Sequence, residues 1–529
     1  MMHYDVPRGN REYACWPAVA ELVGLIEHNR RLINSFSFDV LDIAAGEFRA
    51  RTIATLADAA REYAARIGIG RPATLDRPIV ATGHQADLHH AGVWIKNHLA
   101  CRLAHAAGGS SLNLIVDNDV PKHLGILMPV RDGEKWYQKE AFFASRRAEA
   151  AFEEYPGQVE KPRRFLSETR RISAGMPHAD EACRLAERLT ASSGRGATLA
   201  DVTSALRAGY ETEVEIENCE LPVSRLAATP VFAAFVASII REARHFAGIY
   251  NKALSDYRSR HRVRNAANPL PDLAMDEETV EAPFWVWRAG GSRQRLKVHG
   301  DSACITLVAG AEAVGSLCVE SFESAARSWS AIESSGVKIR PRALTNTIFM
   351  RLFASDLFIH GIGGAMYDEV TDQIIREFYG TEPPQYATVS ATLTLDWDFE
   401  PVDPSDVGAL KQAIREIDYN PQRHIENRGP TCGEAALIDE KWRLVRSTPD
   451  TRKARRKKFQ RIREINSRLA ERLVSLREGR LRQLRETTEK LERDRVAFAR
   501  EYPCFLLGAE RVAEFYAEVL APLAAKSSS

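Results

Sequence analysis

The strongest constraint on the fold lies between residues 79 and 119, where the hydrophobic pattern changes twice. Ile79-Val80-Ala81 is a short apolar run that stops at Gly83. A helical pattern follows from about Ala91 to Ala107 and closes at Gly108-Gly109. SLNLIVDND (111–119) is then a second apolar run, ending in acids. This is the spacing of a parallel strand–helix–strand unit, because parallel strands need a crossover of about a dozen residues or more. Such crossovers are right-handed, so both strand ends fall on one edge of the sheet, the edge where open α/β sheets bind ligands. A second unit repeats the pattern. LFIHGIGG (357–364) is an apolar strand running into a glycine loop, and AMYDEVTDQIIREFYG (365–380) reads as a helix with Gly380 as its C-cap signal. The expected fold class is α/β with a parallel-sheet core.

The chain has 529 residues, about three structural units at roughly 100–200 residues each. Residues 18–68 read as helical, with apolar residues three and four apart. Residues 140–262 are again mostly helical and charged, which suggests an insertion outside the core. Residues 268–345 look β-rich, and Gly290-Gly291-Ser292 sits between two strand patterns as a hairpin turn. Residues 452–500 contain no Pro and one Gly, Gly479, where a bend is expected. Ile462, Ile465, Leu469, Leu473 and Leu476 form one apolar stripe, which Leu481, Leu484 and Leu491 extend. A straight helix of that length would span roughly 74 Å at about 1.5 Å per residue, so an antiparallel helical hairpin or coiled coil is predicted. The expected divisions are 1–139 (first part of the core), 140–267 (helical insertion), 268–400 (β-rich segment and second part of the core), 401–523 (helical coiled-coil region) and 524–529 (disordered tail).

Composition excludes several classes. With 45% hydrophobic and 27% charged residues, the chain has ample apolar surface for a core, which argues against disorder as its main state. The net charge of +1 gives no reason to expect a nucleic-acid or membrane partner. No apolar run approaches the roughly 20 residues of a membrane span, and the N-terminal residues lack the apolar region of a secretory signal. The eight cysteines are scattered without a C-x-x-C pair, which predicts reduced thiols in a cytoplasmic protein.

Five stretches could carry chemistry. Gly83, His84 and Gln85 stand at a strand–helix junction, where glycine lets backbone approach a ligand and a helix N-terminus favours phosphate or carboxylate. Asp117, Asn118 and Asp119 end the next strand, where carboxylates can hold an amine, a ribose or Mg²⁺, or simply cap a turn. His360, Gly361, Gly363 and Gly364 form a glycine loop, followed by Tyr367, Asp368 and Glu369 in the first helical turn. Six of the fourteen histidines fall between His84 and His123, yet no metal-binding spacing is present, and His98 and His105 fit packing or solvent exposure better. The basic run Arg452–Lys458 could meet nucleic-acid phosphates, although such runs are more often solvated helix starts.

These stretches resemble a family. TGHQADL (82–88) is similar to the T-G-Q-Q-x-G-L segment of bacillithiol synthase, the cysteine-adding enzyme of bacillithiol biosynthesis. Asp117-Asn118-Asp119 is similar to that family's E-D-x-D. RPRALTNTI (340–348) and the loop 356–367 resemble its later motifs, in the same order. His84 stands where the family has glutamine, Asp87 where it has glycine, and Lys96 is off the spacing of the family's helix lysine. The resemblance implies a Rossmann-like core similar to class I aminoacyl-tRNA synthetases, with inserted regions and a long C-terminal coiled coil. It also implies a ligase that joins a cysteine-like carboxyl to the amine of a small sugar-type acceptor. On that reading His84, Asp117, Asp119 and His360 are catalytic candidates. Gly83, Gln85, Gly361, Gly363 and Gly364 would bind ATP or ADP with Mg²⁺, and Asn118, Tyr367 and Asp368 would bind substrate. No tightly bound metal is expected. The partner expected is a small-molecule substrate, and the coiled coil is open to pairing either within the chain or with a second copy in a homodimer. Two other readings are an RNA-binding synthetase-like protein and a coiled-coil interaction scaffold.

Overall fold

The computed structural model describes residues 5–69, 75–194, 196–265, 268, 270–300, 302–426 and 429–524. Its strands, in chain order, begin with β1 (Glu12–Trp16), the short pair β2 (Asp39–Val40) and β3 (Ile43–Ala44), β4 (Ile79–Gln85) and β5 (Ser110–Val116). The hairpin β6 (Gly125–Asp132) and β7 (Lys135–Phe142) follows, then β8 (Cys219–Pro222). A run of five comes next: β9 (Thr279–Arg288), β10 (Gln294–His299), β11 (Cys304–Ala309), β12 (Glu312–Cys318) and β13 (Val337–Pro341). β14 (Leu357–His360) and β15 (Tyr386–Thr392) complete the set.

The largest sheet has the order β1-β15-β14-β4-β5-β8. All its neighbours pair in parallel except β1, which closes one edge antiparallel to β15. Numbered by chain order, the five parallel strands read 5-4-1-2-3 across the sheet. The chain therefore builds outward from β4 on one side as far as β8, then returns to the other side with β14. The order reverses between β4 and β14.

The helix Ala91–Ala106 joins β4 to β5 as the spacing predicts. It is buried along nearly its whole length, because it lies between the sheet and the helix Ala509–Ala524, and so it carries apolar residues on every side. Tyr516 anchors the contact by donating its hydroxyl to the Ala91 carbonyl at 2.6 Å. His98 is buried against the Tyr516 ring (centroids 4.5 Å apart), while His105 on the same helix is exposed. On the opposite face Ile79, Ala81, Leu112, Leu114 and Leu221 share one core with Phe48 and Leu56 of the helix Ala45–Ile67 and with Phe232 and Phe235 of the helix Pro230–Arg241.

Several expectations change. Residues 18–68 form two helices, Leu22–Ile33 and Ala45–Ile67, separated by β2 and β3. β4 runs two residues past Gly83, because His84 and Gln85 stay paired with Ile115 and Val116 of β5. The stretch 140–267 is mainly helical, but β8 within it lies beside β5 in the main sheet. Its Glu220 is accommodated there by Arg207 Nε and Asn113 Nδ2, which both donate to Oε1, at 2.7 and 3.0 Å. The helix expected over 365–380 runs from Asp368 to Tyr379 after a separate short turn, Ile362–Ala365, and Gly380 caps it in the left-handed conformation (φ 65°). Residues 279–341 form an antiparallel sheet in the order β12-β11-β10-β9-β13. Cys304 and Cys318 face each other across β11 and β12 and are joined as a disulfide, which corrects the expectation of reduced thiols throughout. The other six cysteines form no disulfide.

The chain divides into two compact units, 1–128 with 139–395 and 500–529, and 129–138 with 396–499. The second holds the helices Pro404–Tyr419, Pro421–Glu426, Cys432–Arg446, Arg452–Ala470 and Val474–Ala497. Ile465, Leu469 and Leu473 of the predicted stripe pack there with Ile417, Ile425 and Ile438. The long helix breaks at a 3₁₀ turn, Glu471–Leu473, and not at Gly479, which lies inside the helix Val474–Ala497. Asp494 accepts from the Val402 amide at 2.6 Å and Asp418 pairs with Arg477 at 2.7 Å. These two ties run in opposite chain order, so Pro404–Tyr419 and Val474–Ala497 are antiparallel. No helix among the described residues is long and apolar enough to cross a membrane. Residues 525–529 of the predicted tail lie outside the described residues, and Ala524 ends the last helix.

Candidate functional site

Because β4, β5 and β14 are parallel, their last residues, Gln85, Val116 and His360, lie on one edge of the sheet. Three of the stretches singled out in the sequence are thereby brought to one edge. In open α/β sheets that edge binds ligands, most often where the strand order reverses. Here the reversal separates β4, with His84 and Gln85, from β14, with His360 and Gly361.

The acids on this edge have different fates. Asp119 keeps its side chain 42% exposed. It accepts from Gln85 Nε2 at 3.2 Å and pairs with Arg293 at 2.8 Å, and the same guanidinium nitrogen donates to the Asn118 carbonyl. Asp117 is buried, and both of its oxygens are occupied by Ser224, one by the amide at 2.9 Å and one by the hydroxyl at 2.5 Å. It fastens the short helix after β8, Val223–Ala227, to the end of β5. Burial, reinforced by the charge of Glu153, pushes its carboxyl up to about 7. Asn118 is buried and donates to the Pro341 carbonyl at 2.9 Å, while its Oδ1 has no partner.

The glycine loop after β14 shows the same division. His360 is buried, with Nε2 2.7 Å from Asp368 Oδ2, and Arg351 Nη1 stands 2.9 Å from that same oxygen. Burial would raise the Asp368 carboxyl, but His360 and Arg351 outweigh it and hold the group below its usual range. Asp368 thus faces inward, between the His360 imidazole and the Arg351 guanidinium. Tyr367 is half-buried and packs against the main core. Gly361 caps the short turn Ile362–Ala365. Gly363 is exposed, and a Cβ there would meet nothing within 4 Å. A Cβ on Gly364 would lie 2.8 Å from His360 Nδ1, so that glycine makes room for the imidazole. Gly83 fits closely against β5, with Leu114 O 3.1 Å from where its Cβ would be.

Behind β4 lies a cluster of nitrogen bases. Lys96 is buried and donates to the Gly83 carbonyl at 2.6 Å, and burial alone pulls its amine down to about 7. The surrounding protein, and then the nearby Lys96 charge, hold the His84 imidazole well below its ordinary range, so it is neutral at physiological pH. His84 stacks edge-on to His89 (centroids 5.3 Å apart). His90 caps the following helix by accepting from the Gly92 amide at 3.1 Å, which uses one of the helix N–H groups expected to be open.

Sequence reasoning missed Arg293, Ser224 and the setting of Lys96. Only Lys96 left a signal, as a lysine directly after the apolar run Val93-Trp94-Ile95. In the basic run, Lys458 donates to the Val445 and Ser447 carbonyls (3.1 and 2.7 Å), closing the end of the helix Cys432–Arg446, while Arg452, Lys453, Arg456 and Lys457 are exposed. Among the described residues no group of three His, Cys, Asp or Glu side chains is arranged to hold a metal ion. Compared with known proteins, the chain matches no family model and no curated sequence.

Proposed function

We propose that the chain is a Rossmann-like ligase, similar in chemistry to bacillithiol synthase. It would join the carboxyl of an amino acid such as cysteine to the amine of a small sugar-type acceptor, drawing on a nucleotide to activate the carboxyl. The observation that carries this reading is the strand order 5-4-1-2-3, whose reversal falls between the strands ending in His84-Gln85 and His360-Gly361. ATP or ADP would lie on this edge at Gly361, Gly363 and Gly364, where backbone exposed at the last two can approach phosphates, with Gly83 and Gln85 on the neighbouring strand. When bound, the nucleotide would supply the phosphoryl or adenylyl group that activates the amino acid's carboxyl, to leave as phosphate or AMP when the amine attacks. Mg²⁺ would arrive on its phosphates, with Asp119 as the half-exposed acid available to it. Neutral His84 would hydrogen-bond and orient the attacking amine. Asp117, His360 and Asp368 act on this reading as positioning residues, and Asn118 Oδ1 and Tyr367 remain for substrate contact.

Thermal melting with ATP, ADP and cysteine, with and without Mg²⁺, tests the reading. A ligand at 100 times its Kd adds about 2.7 kcal/mol, which raises Tm by several degrees. The expected result is such a rise with nucleotide, absent in Gly363→Val although that variant melts normally without ligand. No rise with either nucleotide, or the same rise in Gly363→Val, overturns it.

A further inference from the structure

At the other end of the same strands is a cavity of about 200 Å³. Ser110 and Ser111, which begin β5, and Cys219, which begins β8, help to line it. Seven residues at roughly 3.3 Å each put it on the order of 20 Å along β5 from the edge described above.

Its charged groups are acids, set among the hydroxyls of Tyr63, Ser110, Ser111 and Thr212. Asp76, Glu211, Glu217 and Glu220 line it, without a single lysine or arginine among the lining residues, and His105 is their one basic side chain. Glu211 accepts from Trp94 Nε1 (3.0 Å), Asn97 Nδ2 (2.7 Å) and Asn218 Nδ2 (3.3 Å). Glu220 is 4% exposed. Its Oε1 is taken by Arg207 and Asn113, but its Oε2 is buried with no hydrogen-bond partner, and so is Asn218 Oδ1. Leaving a buried acceptor unpaired is costly, and more so for a charged one. Several carboxylates close together also repel each other, and burial together with the charge of Glu220 holds the Glu211 carboxyl up at about 7.

We propose that this cavity is a second binding site, for a small organic cation with a primary ammonium group. The acceptors and the acidic wall ask for positive charge and for N–H donors together, and an ammonium group supplies one charge and three donors. An anion is opposed by the wall. A bare metal ion is not favoured either, since no set of ligating side chains is arranged for one among the described residues. The volume is that of roughly six or seven waters at ~30 Å³ each, room for an ammonium head with a few carbons. The site stands independently of the proposed ligase chemistry.

Calorimetric titration of the full chain with methylammonium, ethanolammonium and putrescine chlorides tests this. Thr212 lines the cavity from an exposed helix position, so Thr212→Trp plugs it without touching the buried pairs. Glu217→Gln removes one exposed charge at its wall. The expected result is saturable binding of at least one amine, weakened about tenfold or more in Thr212→Trp and a few-fold in Glu217→Gln, by loss of charge-assisted hydrogen bonds. Melting curves confirm that both variants fold. No saturable binding up to about 10 mM overturns the proposal. So does undiminished binding in Thr212→Trp, or displacement of the amine by Mg²⁺ at equal concentration.

Discussion

The two ends of the central sheet use the same residue types and differ in how those residues are partnered. At the C-terminal edge Asp117 is closed off by Ser224, and Asp368 by His360 and Arg351, while Asp119 is shared between Gln85 and Arg293. At the N-terminal end Glu220 and Asn218 leave acceptors unmet beside open volume. A cluster of acids and histidines therefore does not mark a binding site by itself. Where an acid is buried and paired, as Asp117 and Asp368 are, it holds the fold. Open backbone, as at Gly363, or unmet acceptors beside a cavity, as at Glu220, is what leaves room for a ligand.

The comparison breaks most directly at Arg351. Its side chain is 1% exposed and bonds Asp368 at 2.9 Å and Asp372 at 2.7 Å. Arg351→Met leaves both acids without their main cation, and stripping a buried pair of one member costs about 3–5 kcal/mol. Glu217→Gln at the other end should fall within about 0.5 kcal/mol, as exposed substitutions usually do. Urea unfolding of both variants checks the contrast. A loss below about 1 kcal/mol for Arg351→Met would mean that the C-terminal edge is not closed by its pairs.

A smaller effect distinguishes the two ends by pH. Asp117 and Glu211, one at each end, are both held up at about 7, chiefly by burial. An acid with a raised pKa keeps its proton in the native state after the unfolded chain has lost it. The native state then binds more protons, and stability falls as pH rises from about 4 to about 7. Asp117→Asn removes one such proton, and its new amide can donate to the Ser224 hydroxyl, which turns to accept. The variant should be more stable than the parent by about 1–3 kcal/mol above pH 7, with a flatter pH profile below it. Glu211→Gln should flatten the profile as well. A bound amine should do the same for the parent through Glu211 but should leave the Asp117 contribution in place. Unfolding curves across this range with and without ethanolammonium read out both, and an unchanged slope in Asp117→Asn would show that the carboxyl is ionised throughout.

The sequence revealed the β4–helix–β5 unit because the pattern there is local: an apolar run, a helical span with Gly108-Gly109 after it, and a second apolar run. It revealed β14 for the same reason. β8 escaped because Cys219–Pro222 is four residues long and carries a glutamate, whose burial makes sense only beside Arg207 and Asn113. Arg293 sits in a hairpin turn far along the chain from Asp119, and nothing near it in sequence announces that contact. The Cys304–Cys318 pair depends on the register of β11 on β12, which spacing alone does not give. Residues such as Asp117 and Asp368 were legible as lying at a sheet edge. Their inward partnering was not, because Ser224 and Arg351 come from elements whose packing is set by the whole fold.

The smallest effect is the sharpest test of the loop after β14, because two neighbouring glycines should answer in opposite directions. A methyl at Gly364 lies 2.8 Å from His360 Nδ1, and the ring cannot retreat freely because its other nitrogen faces Asp368 at 2.7 Å. Gly364→Ala should therefore cost about 1–2 kcal/mol, in the range of overpacking. A methyl at Gly363 meets nothing within 4 Å and lies in the short helical turn Ile362–Ala365. There the reduced freedom of the unfolded chain should leave Gly363→Ala neutral or up to about 1 kcal/mol more stable. The nucleotide-induced rise in Tm separates the two further. Gly363→Ala places its methyl where phosphate would approach the backbone and should diminish the rise despite its intact stability. Gly364→Ala, lower in stability, should keep a larger share of it. Equal losses of stability in both variants would mean that His360 does not fix this loop, and an undiminished rise in Gly363→Ala would move the phosphates away from it.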